Sequence, residues 1–171
     1  MGMTGTHDTA FDSAPTALAA PKASDVARGI ARLFARNGIW CLSEVALKNG
    51  RRADLMGIDA TGLIVIVEIK VARGDLLGDT KWPDYLDFCD RFYWGVSPDL
   101  DRAPLDSEAY RPEDTGVIVA DGYDAEIVRQ ASLTRLAAAR RKAQVERLAR
   151  LAMRRHTALL DPQCADIGAA G

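Results

Sequence analysis

The stretch RRADLMGIDATGLIVIVEIK, Arg51–Lys70, decides the fold. Ala60-Thr61-Gly62 divides it into two extended runs. Gly62 can adopt positive φ, as the last residue of a three-residue hairpin loop requires. Pairing outward from that loop sets Asp54 opposite Glu68. Side chains alternate along a strand, and directly paired residues share a face. Arg52, Asp54, Glu68 and Lys70 therefore project together from one face at the open end of the hairpin. Leu63–Lys70 is apolar on both faces until its end. A strand of that kind sits inside a sheet covered by helices on both sides.

Working outward, Ile39–Leu47 reads as the preceding strand, joined to Arg52–Ile58 through Lys48-Asn49-Gly50-Arg51. Asn-Gly is a strong two-residue turn signal. A strict Asn49-Gly50 turn pairs Val45 with Asp54 and sends Glu44 to the opposite face; a bulge or a longer turn would bring it back. Upstream, Ser24 can cap a helix with Val26, Ile30 and Leu33 on one stripe, ending at Asn37-Gly38. Downstream, a helix is expected over about Thr80–Arg91, with Trp82, Tyr85, Leu86 and Cys89 inward and Pro83 in its first turn. Asp75 and Asp79 read as helix caps ahead of groups that support the site from behind, and Asp90 as a partner for Arg91 or a lysine. A strand over Phe92–Ser97, a loop over 98–115 and short strands at Gly116–Asp121 and Ala125–Gln130 follow. A long helix spans about Thr134–His156. The chain divides into a disordered segment over 1–22, a core domain over 23–131 and a basic helix with tail over 132–171.

A length of 171 residues suits one core. The three cysteines have no paired spacing, which argues against a disulfide framework or a cysteine zinc site. No apolar run is long enough to span a membrane and no secretory leader is visible, so a cytoplasmic protein is expected. His7 and His156 lie in poor contexts for catalysis, and no Ser-His-Asp arrangement or phosphate-cradling glycine loop occurs. The net charge of −2 hides an asymmetry. Residues 129–156 carry nine Lys and Arg against one acid, Glu146, while residues 1–128 carry thirteen against twenty-one acids. A basic helix beside an acidic body has two readings: Arg140, Arg141 and their neighbours contact DNA phosphates, or the helix docks on the body through Leu148, Ala152 and Leu159.

The chemistry rests on Asp54 and Glu68. Two carboxylates held close together repel unless a cation lies between them, and hard oxygen ligands suit Mg2+ or Mn2+. Lys70 beside them can orient or deprotonate a metal-bound water. A Glu-x-Lys at a strand end is by itself commonly a solvated ion pair. A second acid across the hairpin, in an otherwise apolar strand, is what a plain ion pair does not explain.

These residues resemble a known family. Arg52-Ala53-Asp54 with Glu68-Ile69-Lys70 looks like the PD-(D/E)XK nuclease signature, with Ala53 in the usual proline position. Taken with Gly50–Leu55, Asp79–Tyr85 and Cys89–Tyr93, the pattern resembles the MmcB family of bacterial DNA repair proteins over about residues 24–130. The resemblance implies an α/β fold, a restriction-endonuclease-like α/β/α core with a central mixed sheet, plus the long basic C-terminal helix. It implies a Mg2+-dependent deoxyribonuclease in DNA repair, with the metal held by Asp54, Glu68 and the Ile69 carbonyl and with Lys70 serving the attacking water. Many relatives have a further acid, for which Glu44 is the candidate. Lys81 and Tyr85 stand where some relatives have Gln-x-x-x-Tyr, and with Arg52 they are candidate DNA contacts. Many relatives also act as homodimers. The alternative is a catalytically silent DNA-binding or adaptor module that keeps the fold.

Overall fold

The interior strand of the sheet is Ile64–Lys70, buried along nearly its whole length. The computed structural model describes residues 22–165; the readings for 1–21 and 166–171 lie outside the described residues. The strands are β1 (Trp40–Ala46), β2 (Arg52–Ile58), β3 (Ile64–Lys70), β4 (Arg91–Val96), β5 (Gly116–Ala120) and β6 (Ala125–Arg129). They form one six-stranded sheet in the order β1-β2-β3-β4-β5-β6. The β3–β4 and β4–β5 pairs are parallel and the others antiparallel. A mixed α/β architecture with a C-terminal helix is thus what the chain adopts.

The β2–β3 hairpin has the expected register, with Ile58 opposite Ile64 and Leu55 opposite Val67. Gly62 takes φ 84°, and Asp59 Oδ1 accepts from the Thr61 and Leu63 amides to fix the loop. The β1–β2 hairpin differs from the two-residue expectation. Leu47 and Arg51 close it and Val45 pairs with Ala53, so the loop is Lys48-Asn49-Gly50. Gly50 supplies the left-handed residue (φ 81°). The Asn49 side chain accepts from the Arg51 amide and donates to the Asp84 carbonyl. One added loop residue shifts the register by one and places Glu44 at the position facing Asp54.

Helix α1 (Ala23–Arg36) covers one face of the sheet, burying Val26, Ile30 and Phe34 against Leu55, Val65, Val67 and Tyr93. It begins two residues earlier than a Ser24 cap would allow: Lys22 is the N-cap, and Asp25 accepts its amide. Close contact is possible because Gly95 has no side chain; a Cβ there would meet Ile30 Cδ1 at 2.7 Å.

The other face is covered by the β3–β4 connection and by helix α3 (Ala138–Leu160). The connection contains a short helix α2 (Arg73–Gly78) that sequence periodicity does not predict. After it comes a 3-10 helix at Trp82–Phe88, where an α-helix over Thr80–Arg91 is expected from sequence. Three residues per turn stack Trp82 and Tyr85 on one side, both toward the sheet. There they join Phe92, Trp94 and Tyr110 in an aromatic layer with neighbouring ring centroids 5.2–5.9 Å apart. Two further 3-10 turns, Ala103–Asp106 and Glu108–Tyr110, occupy the expected loop over 98–115.

Helix α3 starts four residues later than its sequence suggests, and Asp90 is the reason. The Asp90 side chain is buried and accepts from the amides of Ile64 and Leu136, while its carbonyl accepts from Thr134. These bonds hold the segment before α3 extended. Arg141, on the first turn of α3, then pairs with the Asp90 carboxylate. Burial alone would raise the Asp90 pKa; Arg141 and the two amides outweigh it and hold the carboxyl below its ordinary value. The pairing of Asp90 with Arg91 or a lysine expected from sequence is therefore replaced by one with Arg141. Asp90→Ala leaves two buried amides without an acceptor and is expected to lower stability by about 2–5 kcal/mol in urea unfolding at neutral pH. Because the depressed pKa stabilises the fold only where the carboxylate is ionised, the gap between variant and wild type should narrow as pH falls through the acid range.

Candidate active site

Asp54, Glu68 and Lys70 meet at one end of the β2–β3 hairpin, because the register set at Gly62 carries through the strands. Lys70 Nζ lies 3.1 Å from Glu68 Oε1. Asp54 Oδ2 accepts from the Ile69 amide at 2.7 Å, which fixes the carboxylate across the strand end. Glu68 Oε2 is buried and has no hydrogen-bond partner. The side chains of Glu68 and Lys70 are both only 11% exposed, since the aromatic layer lies behind them and Trp94 sits under the ammonium.

Burial sets the electrostatics. It pushes the Glu68 carboxyl up to about 7, helped by the neighbouring Asp54 charge and opposed by Lys70. Burial also raises Asp54, opposed by the Ile69 amide and Lys70. Burial would lower Lys70, but Asp79 and Glu68 reverse that and raise it above its ordinary value. Lys70 is thus held as a cation. Tyr85 is buried between this site and Phe92, donates its hydroxyl to the Arg52 carbonyl and has its own pKa raised by burial and by Glu68.

Asp79 is the member that sequence reading underweighted. Its Oδ1 accepts from the Lys81 amide in a local turn, while the N-cap of the 3-10 helix is Lys81 and not Asp79 as the sequence suggests; its Oδ2 lies 2.8 Å from Lys70 Nζ. The signal available was its place just before the Trp82-Pro83 turn, where the chain returns to the sheet. Its reach to Lys70 depends on α2, which the sequence did not disclose.

The remaining candidates divide. Glu44 comes to the Asp54 side but is exposed, takes a left-handed backbone (φ 53°) and pairs with Arg52 at 2.5 Å. Arg52 and Lys81 are exposed beside the site. Tyr85 is 6% exposed and packed in the aromatic layer, and Arg141 is paired with Asp90. Arg140 pairs with Asp87 at the surface. The basic helix docks on the body as the second sequence reading has it, through buried Leu148 with Val145 and Leu151; Leu159 stays exposed. Among the described residues no three His, Cys, Asp or Glu side chains gather to hold a metal. Nor is any described helix long and apolar enough to cross a membrane.

The fold and site define a mixed-sheet α/β protein with two acids and a lysine gathered at the ends of adjacent strands. The family model for MmcB-like DNA repair proteins matches residues 12–163, and the chain belongs to that family. It is also similar to a solved structure, the SPO1766 protein of unknown function from Silicibacter pomeroyi. The two are 38% identical with a TM-score of 0.75, over 85% of this chain and 94% of that one. No curated protein matches the chain.

A buried acid with a raised pKa destabilises the folded state once pH exceeds its unfolded value near 4.5, and the penalty grows as pH rises toward about 7. Glu68→Gln removes that penalty while Asp79 continues to hold Lys70. The variant is expected to be more stable than wild type by about 1–3 kcal/mol at pH 8, with the advantage fading by pH 4.5, in thermal unfolding followed across pH.

Proposed function

We propose that this protein is a metal-dependent deoxyribonuclease of DNA repair, with a restriction-endonuclease-like core and its site at Asp54, Glu68 and Lys70. The observation that carries the reading is the buried Oε2 of Glu68 beside the Asp54 carboxylate, left without a donor because the neighbouring Tyr85 hydroxyl gives its proton to the Arg52 carbonyl. An orphaned acceptor in that setting costs free energy unless a cation or proton completes it.

The donor set fits Mg2+ or Mn2+. Such ions are commonly held by one or two carboxylates, with water and substrate phosphate completing the shell. Asp54, Glu68 and the Ile69 carbonyl would hold the ion, and a third protein acid is not required. When bound, the ion supplies Lewis-acid activation of water and screens charge on the phosphodiester.

The chain's own groups do the rest. Lys70, held cationic between Glu68 and Asp79, acts by orienting water and by its charge; a proton-accepting role would require both acids to release it. The aromatic layer excludes water from beneath the site, which strengthens each of these charges. Arg52 and Lys81 offer exposed cations to phosphates at its rim.

DNA cleavage with purified protein in Mg2+ or Mn2+ tests the reading. Asp54→Asn and Lys70→Met are expected to reduce the rate by about 10²–10³-fold. Separately, millimolar Mn2+ should raise the thermal midpoint of wild type and leave that of Asp54→Asn unmoved, since a ligand stabilises only the state that binds it. Absence of cleavage together with absence of a metal-induced shift sinks the proposal and favours the silent DNA-binding module.

A further inference from the structure

Helix α3 and the edge strand β1 enclose a surface trough of about 730 Å3, with Glu44 among its lining residues. Its walls carry Lys48, Arg147, Arg150, Arg154 and Arg155. Against these five cations stand two carboxylates, Glu44 and Glu146. Glu44 is already engaged by Arg52, and Glu146 lies 3.6 Å from Lys142. Arg147 and Arg155 are anchored by hydrogen bonds to the β1 carbonyls of Ala46, Ser43 and Glu44, which fixes their positions without neutralising them. Among the described residues Lys48, Arg150 and Arg154 form no ion pair.

This arrangement is unusual on a chain whose net charge is −2. Elsewhere on α3 the cations at Arg140 and Arg141 are matched by acids of the body. In the trough they are left unmatched, and a concave wall of one sign concentrates the field it creates. Glu44, on the trough wall, stands at the register position facing Asp54. A polyanion lying in the trough therefore leads to the candidate site.

We infer that the α3–β1 trough binds the phosphate backbone of a DNA strand and leads it past Glu44 to the Asp54–Glu68 site, with Lys48, Arg150 and Arg154 as the contacts. The inference rests on the proposed action on DNA and moves the phosphate contacts away from Arg140 and Arg141. A track of basic side chains is how proteins follow a nucleic-acid strand without reading its sequence.

The test is fluorescence anisotropy of the full chain with a labelled single-stranded oligodeoxynucleotide of about 30 nucleotides, in EDTA, across about 50 to 200 mM salt. Arg150→Gln with Arg154→Gln should weaken binding about tenfold and reduce the slope of log affinity against log salt by about 1.4, two phosphate contacts' worth. Arg140→Gln, on the same helix but outside the trough, should change neither. An unaltered slope in the double variant, or an equal loss in Arg140→Gln, overturns the inference. Circular dichroism of each variant checks that α3 is retained. Because EDTA removes any metal, binding is read apart from cleavage. Trough-dependent binding without metal-dependent cleavage would fail the nuclease reading alone. Cleavage lost in Asp54→Asn, with binding insensitive to the trough variants, would fail the trough alone.

Discussion

The carboxylate of Asp90 is the point on which the two halves of the molecule are joined. It is 1% exposed and accepts from the first amide of β3, from Leu136 before α3 and from Arg141 within α3. A buried charge of this kind is tolerable only when every acceptor position is filled. Filling them requires the C-terminal segment to arrive at one place and in one register. The start of α3 follows from that, and so does the path of its arginines along β1. The basic helix is thus not an appendage beside an acidic body; its first turn completes the core.

The candidate site depends on a second buried arrangement, in which charge is distributed unevenly. Lys70 has two acidic neighbours, whereas the second oxygen of Glu68 has no donor. The aromatic layer makes that imbalance expensive by keeping water away. Packing and chemistry therefore have a common source: Trp82 and Tyr85, stacked by the 3-10 turn, both close the core and dry the site. A buried aromatic such as Tyr85 therefore sits within an otherwise polar motif.

Much of this was legible in the sequence where short-range rules dominate. The loop at Gly62 has one good solution, and its register brings Asp54 toward Glu68 without any knowledge of the remainder. The Asn49-Gly50 signal was equally strong and gave the wrong loop length, because Asn49 spends its side chain on the distant Asp84 carbonyl and on Arg51. Local turn preference cannot register that competition. The roles of Glu44, Asp79 and Arg141 are hidden for the same reason: each is set by a partner far away or by an element with no periodic signal. Pairs spanning a short loop were readable, whereas those made by the crossover and by the last helix were not.

Strand β1 is the outermost strand of an open sheet. A free strand edge displays carbonyls that another chain can pair with, and proteins blunt such edges to remain monodisperse. Here Arg147 and Arg155 reach from α3 to the carbonyls of Ser43, Glu44 and Ala46, and the left-handed kink at Glu44 interrupts the flat run. The arginines thereby cap the sheet against stacking with its own kind, a safeguard against aggregation that would be lost if the last helix were removed.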